Sequence, residues 1–506
     1  MNLPKLQVLS KDEIGEIHNA TLTLLEKVGI KMDCKEVQKL MQDHGAEVDE
    51  KTDFIKIPES LVMEMVKKVP NSFTLHGADG SFNFKINTTT TQYATIGTPV
   101  KIYAPDKRKG VRKTKLEDMI KQIRLVDSLK HINCSHLDVW PHNIPYTTIH
   151  AQAMYQWAKN TKKPYGMGCF GGLPSQDMMN MASIACGGDD ELKKNPRLVG
   201  FFSTTSPLHF PKIMTNGLKV FANYRQPTII APEALAGSSS PVTLAGELTQ
   251  INAENLGGAV LSQIINPGAR IFFGTVSHVT DMKTGNSAMG AIETGLITAG
   301  VAQLARYYGY PSRGPGAVTD SKVLDLQNGV ERLQTLMLAA QAGINYITCA
   351  GTYEATLVEA FELLLIDDEL VGMVKRALEG IEVNEKTIAL DVIEKVATSQ
   401  KKGATFLGEL HTIKNMKKEL YMPNLMDRNR RNTWWKKGGK DIIERARERV
   451  EDVLKFHVSP KIPVDMDNAL QDYLKKVEAR TLNDYMEAEN LSSAVAPVPG
   501  TELKEE

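Results

Sequence analysis

Side chains able to do acid–base, nucleophilic or metal chemistry are scattered through the chain, which has 11 histidines and five cysteines in 506 residues. His142, His209 and His278 stand where a general base or metal ligand is useful, but a hydrogen-bonded loop or core histidine is the more ordinary role. Cys134-x-His136, with Cys169 and Cys349, offers the thiolate and imidazole donors that zinc prefers, although no spacing makes them converge. Glu233 follows an apolar run, and its carboxylate suits either a cationic ligand or a loop salt bridge. Tyr93, Trp140, Phe170, Phe202 and Tyr353 supply aromatic faces that attract an ammonium group, with core packing as the competing use of each. Ser238, Ser239 and Ser240 precede Pro241. That order predicts a helix with Ser240 as N-cap and Pro241 as its first residue, presenting N–H groups and hydroxyls to an anion, though capping alone also accounts for it.

These residues need a scaffold, and the apolar pattern supplies one. Short runs at 93–96, 132–139, 164–169, 198–203, 228–231, 270–274, 310–314 and 344–349 each end in, or within two residues of, a Gly, Pro, Ser or Thr. Between and after them lie stretches of helical period at 116–129, 147–160, 175–186, 211–224, 241–265, 288–308, 321–342 and 355–378. Strict alternation of this kind, over roughly 280 residues, predicts a (β/α)8 barrel, slightly longer than the usual ~250. An open doubly wound sheet also alternates, but no Gly-x-Gly-x-x-Gly follows the first run. The barrel places reactive groups on the loops after each strand. Those loops are rich in glycine, proline and hydroxyls and hold few carboxylates or histidines, so little acid–base chemistry is expected.

Outside residues 91–380, a helical N-terminal cap is expected over 1–90. It has helices at 11–29, with Ser10 as N-cap and Gly29 as stop, at 34–45 and at 58–69. The runs at 73–75 and 82–86 read as a hairpin. Residues 381–490 read as a helical extension, with helices at 388–396 and 441–454 and Trp434-Trp435 between them, and 491–506 as a frayed tail. Lys+Arg and Asp+Glu are both 60, so the net charge is zero and the attraction a nucleic-acid or polybasic membrane binder needs is absent. No apolar stretch approaches the ~20 residues of a membrane span, and Met1–Asp12 lacks the pattern of a secretory signal. A cytoplasmic protein with reduced, widely spaced cysteines is the expectation.

The stretch Ser240-Pro241-Val242-Thr243-Leu244-Ala245-Gly246, continuing through Asn252-Ala253-Glu254 to Pro267-Gly268, resembles the trimethylamine methyltransferase family of corrinoid-dependent enzymes. So do the opening helix at 13–29, Thr319-Asp320-Ser321-Lys322, Gly343-Ile344-Asn345, Thr405-Phe406-Leu407-Gly408 and the segment from His411-Thr412 to Trp434. The resemblance implies a barrel enzyme, homo-oligomeric, that passes a methyl group from a methylated amine to the Co(I) of a cobalamin-type corrinoid on a separate protein. All positions here are standard residues, which points to the branch without pyrrolysine, associated with quaternary amines such as glycine betaine. In the other branch the pyrrolysine is expected to align near the seventh strand, around 314–317.

On that reading Tyr93, Trp140, Phe170, Phe202, Glu233, His278 and Tyr353 hold the ammonium, and Arg313 anchors a substrate carboxylate. Ser238, Ser239 and Ser240 face the corrinoid or an anion. No acid–base residue is required and no metal is bound directly. Arg428, Arg430, Arg431, Trp434 and Trp435 combine charge and aromatic area suited to the corrinoid protein, or fasten the C-terminal helices to the barrel. A zinc-dependent or other barrel methyltransferase and a non-catalytic amine-binding protein are the alternatives.

Overall fold

The computed structural model describes residues 4–401 and 403–491. Eight parallel strands form its centre: β1 (Gln92–Tyr93), β2 (Ser135–His136), β3 (Tyr165–Gly168), β4 (Leu198–Ser203), β5 (Thr228–Ala231), β6 (Ile271–Gly274), β7 (Ser312–Pro315) and β8 (Tyr346–Thr348). Each pairs with its chain neighbour and β8 returns to β1. An Ala94–Cys134 bridge closes the ring, with the Asn133 N–H donating to the Tyr93 carbonyl at 2.7 Å. The sheet is a closed barrel. β3, β5, β6 and β7 are buried along their whole length, because the pore covers one face and a helix the other. That is why β3, β5 and β6 read as largely apolar runs, whereas β7 carries the buried Arg313.

A helix follows every strand, and four of them start later than their apolar period suggests: Leu244–Ile265, Ile292–Tyr308, Leu326–Ala342 and Phe361–Glu379. The residues ahead of three of them build rim sheets over the C-terminal ends of the strands. Leu235–Ala236, His278–Thr280 and Ser287–Ala288 form one. Lys101–Tyr103, Val111–Lys113, Thr352–Tyr353 and Val358–Glu359 form the other. Pro241 therefore does not begin a helix and Ser240 does not cap one. The N-cap position is Thr243.

The helix Lys11–Lys27 opens on a capping box in which Ser10 and Glu13 satisfy each other's backbone N–H, and Gly29 follows at φ +83°. The N-terminal region is not purely helical. Its helices at Lys35–Asp43 and Glu59–Val66 flank three short strands, one of which, Ile30–Met32, pairs with His209–Phe210 from the loop after β4. The hairpin Ser72–His76/Asn83–Asn87 plugs the end of the barrel where the strands begin. Phe73, Leu75, Phe84 and Ile86 pack with Val199, Ile229, Phe272 and Tyr346 from inside the pore, and the His76 N–H bonds the Pro196 carbonyl just before β4. One end is sealed, so only the other can be a mouth.

Beyond Glu379 the chain continues as short helices and then Ile442–Phe456 and Val464–Glu478, which return to the barrel helices. The expected tail lies, after Leu491, outside the described residues. No described helix is long and apolar enough to cross a membrane.

Candidate functional site

Which face of each strand looks into the pore fixes the site. Ala94, Cys134, Val199, Ile229, Ala231, Phe272 and Tyr346 pack with the hairpin plug and so face inward. The alternation of β5 carries from Ile229 and Ala231 to Glu233 at the mouth. The Glu233 side chain is open to solvent and yet crowded by protein, so that burial raises its pKa despite the opposing pull of His278 and Arg313. That combination describes a carboxylate in a concavity.

Arg313 lies deeper and is fully buried. Its Nη1 donates to the Thr275 carbonyl and its Nη2 to Thr348 Oγ1, while Cζ sits 5.3 Å from the centroid of the Phe201 ring. Nε–H has no partner. One donor of a charged group is left over in the pore, where an unmatched donor is costly unless a ligand takes it. Burial lowers the Arg313 pKa, and Glu233 is among the anions raising it. Beneath, His136 Nε2 and the Tyr346 hydroxyl are 2.9 Å apart, and burial pushes the imidazole down to about 3, so the ring is neutral.

Phe170 folds over the pore face of β3: a Cβ on Gly168 would fall 2.2 Å from its ring. It is half-buried and meets Trp140 edge-on at 5.3 Å, with Tyr146 stacked on Trp140 at 6.3 Å. Phe170 therefore turns aromatic surface toward the same mouth as Glu233, whereas Phe201 lies within the pore with its ring against the Arg313 guanidinium and the plug cluster. Behind β7 and β8, between the helices Leu326–Ala342 and Phe361–Glu379, Arg332 and Asp367 form a buried pair at 3.1 Å, and Arg332 also donates to the carbonyls of Ala317 and Thr352. Asp138 and Glu359 are buried nearby, and burial raises both carboxyls well above the usual range. Ala317, Cys349, Glu354, Ala355 and Thr356 all adopt positive φ in the loops tied down here. Strain of that kind persists only where the surroundings enforce it.

Several sequence expectations move. Tyr93 faces outward under the Lys375 ammonium, 4.9 Å from its ring. Phe202 packs outward on Phe210 at 5.1 Å, and Tyr353 packs on Tyr103 on the helix side. None of the three lines the mouth. Ser238, Ser239 and Ser240 form a turn rather than a helix start: the Ser239 hydroxyl accepts the Leu235 N–H, and Thr280 bonds Ser238.

His278 is bound at both ring nitrogens. Its Nδ1 faces the Val276 carbonyl at 2.9 Å and must carry the proton, leaving Nε2 to accept from Ser287 at 2.6 Å. It clamps a rim sheet and has no free lone pair. His142 contacts Thr114, and His209 contacts Asp33. Cys169 points to the helix side, away from Cys134 and Cys349, and the described residues contain no grouping of three His, Cys, Asp or Glu able to hold a metal. Trp434 bonds the Lys440 carbonyl and Trp435 is exposed. Phe201, Asp138, Glu359 and Arg332 were not signalled by the sequence, where nothing sets Phe201 apart from its neighbour Phe202.

The chain matches the family described as "Trimethylamine methyltransferase (MTTB)" over residues 1–481. It is 34% identical to the glycine betaine methyltransferase of Desulfitobacterium hafniense over 475 residues, 93% of this chain and 97% of that one. It is also 31% identical to the trimethylamine methyltransferase MttB of the same species, covering 93% of each chain, and 34% identical to the MttB of Methanosarcina barkeri, covering 94% and 96%. With its eight strands closed into a barrel around a mouth that holds Glu233 and Phe170, the chain belongs to the trimethylamine methyltransferase family and is a methyltransferase.

Proposed function

We propose that this enzyme takes a methyl group from a quaternary amine of the betaine type and gives it to the Co(I) of a corrinoid carried by a separate protein. The observation that carries this is the solvent-open, desolvated Glu233 at a mouth that also bears the half-buried aromatic ring of Phe170, with the unspent Nε–H of Arg313 in the pore. A carboxylate and aromatic faces attract an ammonium, and a guanidinium donor suits a carboxylate. A zwitterion satisfies both. The name of the glycine betaine methyltransferase relative supports the same substrate class.

When docked, the corrinoid supplies the nucleophile: the cobalt–carbon bond forms as the carbon–nitrogen bond breaks, and the electron pair stays on nitrogen in a neutral tertiary amine. This chain's residues have no proton to move. Glu233 and the aromatic rings orient the ammonium so that one methyl faces the opening, while Arg313 fixes the other end. Their hold must be moderate. The positive charge on nitrogen disappears on the way to product, so attraction to it stabilises the bound substrate more than the transition state. The open side of Glu233 fits an acceptor arriving from outside. A Co(I) acceptor requires a reducing compartment, which makes the cytoplasm the site of action and agrees with five unpaired cysteines.

The test is the visible spectrum of Co(I)-cobalamin mixed with the purified enzyme and each of glycine betaine, proline betaine, carnitine and choline. Methyl-cobalamin formation with a betaine and little with choline is expected. Absence of transfer from every amine, with binding of a betaine retained, would identify a non-catalytic amine-binding protein instead.

A further inference from the structure

The rim of the mouth is uneven. On the side of the loops after β5, β6 and β7, large apolar side chains stand in solvent: Val242, Met282, Ile292, Val323, Leu326 and Val330, with Leu326 83% and Met282 70% exposed. They stand on adjoining elements. Met282 lies against Gly237 and close to Val242's turn, the helices Ile292–Tyr308 and Leu326–Ala342 pack side by side, and Asp320 bonds the backbone of Met289 and Gly290 between them. Across the mouth, the hairpin after β1 carries Lys107, Arg108 and Lys109 in solvent, with Asp106 as the one acidic neighbour in its turn. Isolated apolar residues on a surface are ordinary, whereas a contiguous patch of several hundred Å² marks an interaction site.

We propose that this apolar arc is the docking face for the corrinoid-carrying protein, with the basic hairpin opposite matching acidic residues of the same partner. The inference rests on the reading above, in which the methyl acceptor must come to this mouth. Three observations favour that occupant over a second copy of the chain. The arc borders the only end of the barrel through which Glu233 is open, the other end being plugged by the 72–87 hairpin. Its six apolar side chains, at roughly 100 Å² each, approach the ~800 Å² per partner of a standard interface without the size of a permanent one. Polar residues interrupt it, among them Lys283, Lys322, Asp325 and Gln327, as in complexes that form and separate. A carrier that must leave with its methyl group needs such a face. A second copy has other ground: Ile381, Leu390, Leu407 and Leu410 are exposed on the segment beyond Glu379.

The experiment uses the full-length enzyme with Leu326→Glu and Val330→Glu together, both exposed positions, and a second variant with Lys107, Arg108 and Lys109 changed to Glu. Each is assayed with two acceptors: free Co(I)-cobalamin, and a corrinoid protein that the wild type methylates. Transfer to free cobalamin should stay within about twofold, while transfer to the protein-borne corrinoid at subsaturating carrier falls by about tenfold or more, as loss of a few interface contacts implies. Unchanged transfer to both acceptors would overturn the assignment. So would an equal loss with both, which means damage to the pocket, or a drop in particle mass by light scattering in the apolar variant, which gives the face to a second copy. If the wild type fails with free cobalamin and with every carrier, the parent reading fails first.

Discussion

At the scale of single residues, the mouth is governed by the balance between Glu233 and Arg313. Replacing Glu233 with Gln removes a charge that acts on the substrate cation more than on the transition state. KM for the amine should therefore rise by about tenfold, with kcat unchanged or raised, which steady-state kinetics at varied amine concentration will show. The pH profile carries a second sign. Burial raises the Glu233 pKa above the ordinary range of a glutamate, so the carboxylate needed for attraction is lost as pH falls through that raised value. The acidic limb of kcat/KM should lie above the ordinary carboxylate range in the wild type and vanish in Glu233→Gln. Arg313→Met tests the other end: the preference for betaines over choline should shrink by about tenfold, the worth of one charge-assisted contact. Competition assays with both amines measure it directly. Glu233 and Arg313 were legible in the sequence as groups near strand ends. Phe201 was not, because its neighbour Phe202 has the same chemistry and only the strand's orientation separates them.

At the scale of elements, the loops after β7 and β8 owe their shape to Arg332, which joins Ala317 and Thr352 and pairs with Asp367 in a site closed to water. Arg332→Met strands a buried carboxylate and should cost about 3 kcal/mol or more, seen as a lowered thermal midpoint together with weaker amine binding. The plug at the opposite end makes a contrasting case. A Cβ on Gly77 would lie 1.5 Å from the Lys162 carbonyl oxygen, a backbone atom with no room to move. Gly77→Ala should destabilise the fold by about 3 kcal/mol through overpacking. Whatever folds should retain the wild-type KM, since the hairpin never reaches the mouth; a raised KM would show that the two ends are coupled. The sequence showed this hairpin by alternation and a tight turn. The rim sheets escaped notice because their strands are two or three residues long, too short for any period.

At the scale of the whole molecule, the barrel has two contrasting ends, one plugged and one open, and apolar surface is exposed both at the open rim and on the segment beyond Glu379. The helices Glu385–Ile388, Leu390–Ala397 and Leu410–Glu419 bury none of their side chains within the described chain. A homo-oligomer covering them is expected, with a particle mass by light scattering that is a multiple of 55.9 kDa. A monomer at micromolar concentration would remove that expectation.

What the sequence determined by itself was the number and order of the barrel's strands and helices, and with them the barrel. Each barrel run stops at or within two residues of one that breaks or turns the chain, and the helical stretches hold their period over many turns, signals that are local. What only the tertiary structure decided was facing. A barrel strand is apolar on both sides, toward the pore and toward its helix, so no polar alternation reveals which residue looks inward. Turning a strand over exchanges Ala94 for Tyr93 and Phe201 for Phe202 without changing any local preference. The choice is made by partners distant in sequence: the Phe73 hairpin inside the pore, Phe210 and Lys375 outside it, and the closure of β1 on β2 that fixes the register of all eight strands.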